Sequence, residues 1–165
     1  MKPNNETMNG PMSEEDLKGY HLPVLLQESV KALAIRPDGT YVDCTFGGGG
    51  HSKAILEKLG PQGCLIAFDQ DEDARNNLPD DSRLIFVPHN FRHLKRFLKL
   101  HKCPQVDGIL ADLGVSSHQF DEPSRGFSIR FDAPLDMRMD NKGDLTAAKI
   151  LETYDRKALQ SIFEK

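Results

Sequence analysis

Four consecutive glycines, Gly47–Gly50, separate a run rich in β-branched and aromatic residues, TYVDCTF (Thr40–Phe46), from a helical pattern that begins at His51. Glycine costs backbone entropy on folding, so a tetraglycine needs a compensating reason. A flexible linker is a poor one, because ordered elements abut the run at both ends. A ligand-facing turn is a better one, since bare amides opening a helix can approach an anionic group closely. Asp69, 22 residues after Gly47, closes the next apolar run, CLIAFDQD (Cys64–Asp71). A carboxylate in that place can accept both hydroxyls of a ribose, a group that NAD and S-adenosylmethionine share. The bland alternative is a buried structural acid at a strand end. The glycine run lacks the Gly-Lys pair of a P-loop, and the GxGxxG fingerprint started at Gly47 meets Ser52 where its third glycine belongs. The residues alone therefore leave a nicotinamide enzyme and an adenosylmethionine-dependent methyltransferase open.

These groups need elements to position them. Pro23 opens a helical pattern with Leu26, Val30 and Leu33 on one stripe, stopped by the turn RPDG (Arg36–Gly39). After the glycines, Ala54, Ile55 and Leu59 continue a stripe as far as Gly60-Pro61. SRLIFVPHNF (Ser82–Phe91) reads as a third strand, Phe91–Lys102 as a basic amphipathic helix, and Val106–Ser117 contains a fourth strand. Short, nearly continuous apolar strands alternating with helices predict an α/β fold, a parallel Rossmann-like sheet with helices on both faces. From Asp121 the pattern becomes loop-like, and Leu145–Lys165 reads as one or two helices. No fifth strand follows, so the sheet is expected to be incomplete. Its fourth strand would then be an open edge that invites self-association, a homodimer among the products.

The chain has 165 residues, 38% of them hydrophobic and 28% charged, which suits one globular domain with a fragment of a second. A net charge of −4 gives no general basic footprint, so any nucleic-acid site must be a local patch. No run approaches the roughly 18 apolar residues of a membrane span, and the polar N-terminus lacks a signal-peptide core. Cys44, Cys64 and Cys103 form no CxxC pair and read as reduced thiols of a cytoplasmic protein. The six histidines show no ligand spacing, and no metal site is expected.

TFGGGGHS (Thr45–Ser52), DLGVSSHQFD (Asp112–Asp121), RGFS (Arg125–Ser128) and PLDMRMD (Pro134–Asp140), in that order, resemble the bacterial ribosomal RNA small-subunit methyltransferase H family, also called MraW. The resemblance runs from about His21 to the C-terminus. It implies a class I, S-adenosylmethionine-dependent rRNA methyltransferase that modifies the N4 amino group of a cytidine in the decoding region of 16S ribosomal RNA. Its partner would be that RNA within the small ribosomal subunit. Gly48 and Ala133 stand where relatives often carry Arg and Gly. The family is roughly twice as long, with further strands, more of a helical insertion and a C-terminal SFHS-like motif. The resulting division is a mobile tail over residues 1–20, the first half of the cofactor-binding core over 21–120, and a substrate loop with the beginning of the helical insertion over 121–165. The readings kept beside it are an NAD-dependent oxidoreductase and a fragment that binds cofactor or RNA without catalysis.

By this resemblance, Gly49, Gly50 and His51 meet the methionine end of the cofactor, where helix-opening amides suit a carboxylate. His51 could instead cap the helix. Asp69 takes the ribose hydroxyls, and Phe91 lies against the adenine face unless it simply packs in the core. The family pattern also carries Asp112 and Gln119 onto the cofactor site. Asp112 is the catalytic candidate, together with the Leu113 carbonyl. A cytosine amino group is a poor nucleophile, and an acceptor for its N–H bonds would rehybridise it and stabilise developing positive charge. For RNA, the loop arginines Arg125, Arg130 and Arg138, interleaved with Phe127 and Phe131, are preferred over Arg92, Lys95, Arg96, Lys99 and Lys102 on the basic helix, which reads as a solvated face. Asp132, Asp136 and Asp140 could clamp those arginines in ion pairs.

Overall fold

The computed structural model describes residues 23–164; the tail expected over residues 1–20 lies outside them. Four strands, β1 (Thr40–Asp43), β2 (Cys64–Phe68), β3 (Leu84–Val87) and β4 (Gly108–Leu110), form one sheet in the order β3-β2-β1-β4. Every pairing is parallel, with Val42 opposite both Ile66 and Ile109, and Ile66 opposite Ile85. The α/β, Rossmann-like expectation therefore holds.

The period-2 alternation of the strands sorts their side chains between two layers. Tyr41 and Leu65 face α1 (Leu26–Ala32) and α2 (Gly50–Leu56), packing on Val30, Ile55, Leu56 and Leu59. Val42, Ile66, Phe68 and Val87 face the other way, onto Leu98 of α3 (Leu94–Leu100) with Leu94 and Phe97 beside it. Val42, Ile55, Leu65 and Ile66 are wholly buried, and each such side chain contributes about 1.5–3 kcal/mol. These two layers fix the carboxyl ends of β1, β2 and β4 side by side.

The strands are shorter than their apolar runs. β1 stops at Asp43, yet the ladder geometry continues irregularly: Cys44 donates to the Leu110 carbonyl at 2.8 Å and Phe46 to that of Phe68 at 2.9 Å. The β2–β3 connection holds a 3₁₀ turn, Glu72–Asn77, capped by Asp71, rather than an α-helix. With Ala74 its one buried residue, that segment has no apolar stripe to bury. The expected basic helix begins as a 3₁₀ turn, Phe91–His93, before α3. After β4 a short helix that periodicity did not predict, α4 (Ser117–Asp121), opens on a Ser116/Gln119 capping box, and a 3₁₀ turn, Pro123–Arg125, follows. The C-terminal pattern resolves into two helices, α5 (Ala147–Thr153) and α6 (Arg156–Phe163), with Thr146 and Asp155 as their N-caps.

Candidate cofactor site at the carboxyl ends of the strands

Asp43 ends β1 wholly buried. Its Oδ2 accepts from the Ser52 hydroxyl at 2.7 Å and its Oδ1 from the Thr45 amide at 3.0 Å. Burial pushes its carboxyl above the usual range, against the pull of those hydrogen bonds. Thr45 Oγ1 in turn accepts the Asp112 amide at 2.8 Å. One buried acid thus ties β1 to the start of α2 and, through Thr45, to the loop after β4.

The glycine loop fills the gap between these anchors. Gly47 and Gly49 take left-handed backbone angles, φ 51° and 78°, and a Cβ on Gly49 would stand 3.0 Å from the Phe46 ring. A side chain is disfavoured at both positions by conformation, and at Gly49 by close packing as well. The Gly47 amide donates to Asp69 Oδ2 at 2.7 Å, and the Asp71 amide donates to Asp69 Oδ1 at 2.9 Å. Burial raises the Asp69 pKa from its ordinary value while those two amides draw it back. Each oxygen has given one lone pair to the fold and keeps capacity for another donor. Asp69 therefore braces the glycine loop and still has the capacity to accept hydroxyls.

His51 sits in the first turn of α2, 5% exposed. The cap is Gly49 and makes no side-chain bond, so His51 does not cap the helix. Its Nδ1 lies 3.9 Å from the Asp112 carboxylate, and its buried Nε2 has no partner among the described residues. Leaving such a nitrogen unmatched costs about 1–3 kcal/mol, which a ligand atom at this position would recover. Phe91, 38% exposed, belongs to neither packed layer, and Asn90 beside it donates to Gln70 Oε1 at 2.8 Å. That contact links the Phe91 corner to the residue next to Asp69. Asp112 projects outward with 58% of its side chain exposed. Gly49, Gly50, His51, Asp69 and Asp112 thus gather at one end of the sheet, and Phe91 opens the turn that follows β3.

Gln119 and Arg125 meet on the neighbouring corner, at Asp71. Arg125 is 4% exposed and donates Nη1 to Asp71 Oδ2 at 2.5 Å and Nη2 to the Arg138 carbonyl at 2.9 Å. Gln119 Nε2 donates to the same Asp71 oxygen at 2.9 Å, while its Oε1 accepts the Ser116 amide at 3.1 Å. Burial works to raise the Asp71 pKa, but the Arg125 and Gln119 hydrogen bonds outweigh it and hold the carboxyl below its usual range. The expectation that Arg125 meets RNA is corrected here: its guanidinium is an internal strut. Arg138 is likewise engaged, with Nε and Nη2 on the Asp136 carboxylate and Nη1 on the Asn141 and Gly143 carbonyls. Arg130 stays at the surface, paired with Asp121 at 2.6 Å and stacked over Phe131. The clamp reading anticipated for Asp136 is thus realised for Arg138, while the partners of Arg125 and Arg130 are acids that the sequence did not single out.

A parallel sheet in this strand order, with a glycine loop after its first strand and an acid closing its second, defines a Rossmann-like domain whose ligand crevice lies at the strand carboxyl ends. The chain belongs to the MraW methylase family, whose model matches residues 18–165. It is 58% identical over 150 residues to the ribosomal RNA small subunit methyltransferase H of Bacteroides thetaiotaomicron, covering 91% of this chain and 49% of that protein. The protein of the same name from Flavobacterium johnsoniae is 60% identical over 144 residues, covering 87% of this chain and 48% of the relative. The chain thus spans about half the length of the curated relatives it matches. Membership of a methylase family implies a methyl donor as cofactor. Among the described residues no helix is long and apolar enough to cross a membrane.

Proposed function

We propose that this chain carries the cofactor-binding part of a cytoplasmic, S-adenosylmethionine-dependent methyltransferase acting on the N4 amino group of a cytidine in the decoding region of 16S ribosomal RNA. The observation that carries the reading is the juxtaposition of the glycine loop, the Asp69 carboxylate and the orphaned His51 Nε2 at the strand ends. These residues fit the cofactor: Asp69 for the ribose hydroxyls, the first-turn amides of Gly50 and His51 for the carboxylate of its methionine end, Phe91 for its adenine. Gln119, through its spare amide hydrogen, would contact the cofactor from the neighbouring corner at Asp71. When bound, the cofactor supplies an electrophilic methyl group on a sulfonium. The protein's share is alignment of the amino group and exclusion of water around it. The Asp112 carboxylate and the Leu113 carbonyl would accept the hydrogens of that amino group and take up positive charge developing on its nitrogen.

Titration calorimetry with S-adenosylmethionine and with NAD tests this reading against the oxidoreductase. S-adenosylmethionine is expected to bind and NAD is not. Asp69→Ala removes two charge-assisted hydrogen bonds to the ribose, each about 1.5–3 kcal/mol, and is expected to weaken binding by at least about a hundredfold. Heat from NAD alone overturns the assignment. Binding without methyl transfer to rRNA would leave this chain a cofactor-binding fragment.

Self-association is part of the proposal. β4 has three residues, pairs on one side with β1, and leaves Ile109 half exposed. Among the described residues its other edge has no strand partner and offers amides and carbonyls to a second copy. Light scattering is expected to show a concentration-dependent rise above the monomer mass, and a compact monomer at all concentrations counts against it.

A further inference from the structure

We propose that the cationic face of α3 and its flanks, formed by Arg92, Lys95, Arg96, Lys99 and Lys102, is the surface that holds the phosphate backbone of the substrate RNA. This rests on the rRNA reading above, and it reverses the sequence-based preference for the loop arginines. Those arginines are spoken for by Asp71, Asp121 and Asp136, as Arg36 and Arg83 are by Asp107 and Asp81. The five cations of the α3 region are all exposed, and among the described residues none has an acidic partner.

The sequence segregates charge to make this face. From Ser82 to Val106 there is no Asp or Glu, in a chain that has 25 of them against 21 Lys and Arg. Arg92 and Arg96, and Lys95 and Lys99, stand four residues apart, where like charges on a helix repel by a few tenths of a kcal/mol per pair. An acid in any of these positions would relieve that cost, and none is present. Leu94, Phe97 and Leu98 anchor the opposite face of α3 in the core, so the basic side is held outward. Lys95, Arg96 and Lys99 lie on α3, and Arg92 in the 3₁₀ turn before it and Lys102 beyond its C-cap extend the stripe at both ends. It begins next to Phe91, and Asn90 ties that corner to Gln70 beside Asp69. A strand held along α3 therefore reaches the strand-end crevice at its Phe91 corner, across the sheet from Asp112. A base offered for chemistry must be unstacked, which favours single-stranded RNA over a duplex.

The test measures binding of a fluorescein-labelled single-stranded RNA by anisotropy across a salt series, for the whole chain and for the K95Q/R96Q/K99Q variant. Single-strand binding falls with salt by a log–log slope of about 0.7 per phosphate neutralised. The variant is expected to lose at least about tenfold in affinity at low salt and to flatten the slope by about 2. Its thermal midpoint and its S-adenosylmethionine isotherm are expected to match those of the unaltered chain, because the three side chains are exposed and have no acidic partner among the described residues. Arg130→Gln serves as the comparator and is expected to leave the slope equal to that of the unaltered chain, whereas a phosphate contact there would flatten it by about 0.7. The inference is overturned if the triple variant keeps the original slope, if Arg130→Gln alone flattens it, if the unaltered chain binds no RNA, or if phosphatidylserine vesicles displace the RNA from it. Loss of cofactor heat with the RNA slope behaving as expected would instead strike the methyltransferase reading and leave the surface standing.

Discussion

Replacing Arg125 by methionine is expected to cost about 3–5 kcal/mol of stability and to lower the thermal midpoint by on the order of 10 °C. The side chain is 4% exposed and meets Asp71, itself 7% exposed, so removing the cation strands a buried carboxylate. It also releases the Arg138 carbonyl, the link from the β2–β3 connection to the segment that carries α5. That segment is held from both ends: the Met137 amide donates to the Arg125 carbonyl at 3.0 Å, and the first amides of α5 donate to Leu135 and Asp136 carbonyls. Lysine in place of Arg125 is expected to recover little, because one ammonium cannot span both acceptors in the fork geometry of a guanidinium.

The pH dependence of this loss separates an ion pair from simple packing. Asp71 is held below the usual carboxylate range in the folded protein. Its contribution is therefore present above the unfolded value, near 3.8, and disappears as the pH falls through the folded value. Asp43 and Asp69, raised by burial, run the other way: their contributions are present below about pH 3.8 and are lost as the pH rises through their folded values. Without Arg125, burial governs Asp71 as well. The stability gap between the original protein and Arg125→Met should then be widest near neutrality and narrow below pH 4. Denaturant melts at pH 7 and at pH 3.5 measure it; a gap of equal size at both would assign the loss to packing. The D71N/R125M double variant is expected to regain a good part of the loss, because no uncompensated charge remains.

Why the clamp stayed hidden in the sequence while the crevice did not is a matter of range. β1 and β2 announce themselves as apolar runs, and Asp69 stands at the end of one of them, so a local pattern places it. The connection rules of parallel sheets then bring its strand beside the glycine loop. Asp43 carries the same local signal, an acid closing an apolar strand, and could have been read the same way. Arg125 finds Asp71 across 54 residues of chain. Nothing in the RGFS motif distinguishes an arginine that points outward from one that closes a corner. RGFS and PLDMRMD stand as separate motifs in the sequence, and their meeting is internal: a Cβ on Gly126 would stand 2.6 Å from the Asp136 amide and the Pro134 carbonyl. Short elements were lost for a related reason. α4 is defined by its capping box more than by any stripe, and the 3₁₀ turn after β2 buries one alanine.

Asp112→Asn is expected to leave most of the cofactor affinity in place and to reduce single-turnover methyl transfer by about 10²–10⁴-fold. The substitution is nearly isosteric, and the backbone at this position is fixed independently of the side chain, by its amide bond to Thr45 Oγ1. With 58% of the side chain exposed and no hydrogen bond to its carboxylate among the described residues, the change has little structural cost. What it removes is charge. In the proposed reaction the transition state would place positive charge on an amino nitrogen, which a carboxylate within reach would stabilise where a neutral amide would not. His51, 3.9 Å from the carboxylate and 5% exposed, bounds one side of the same space. A merely structural Asp112 would leave the rate alone. Rapid-quench transfer of a labelled methyl group to rRNA, alongside a cofactor isotherm for the same variant, distinguishes the two. Unchanged turnover by the asparagine variant excludes Asp112 from the chemistry and leaves the Leu113 carbonyl as the remaining acceptor.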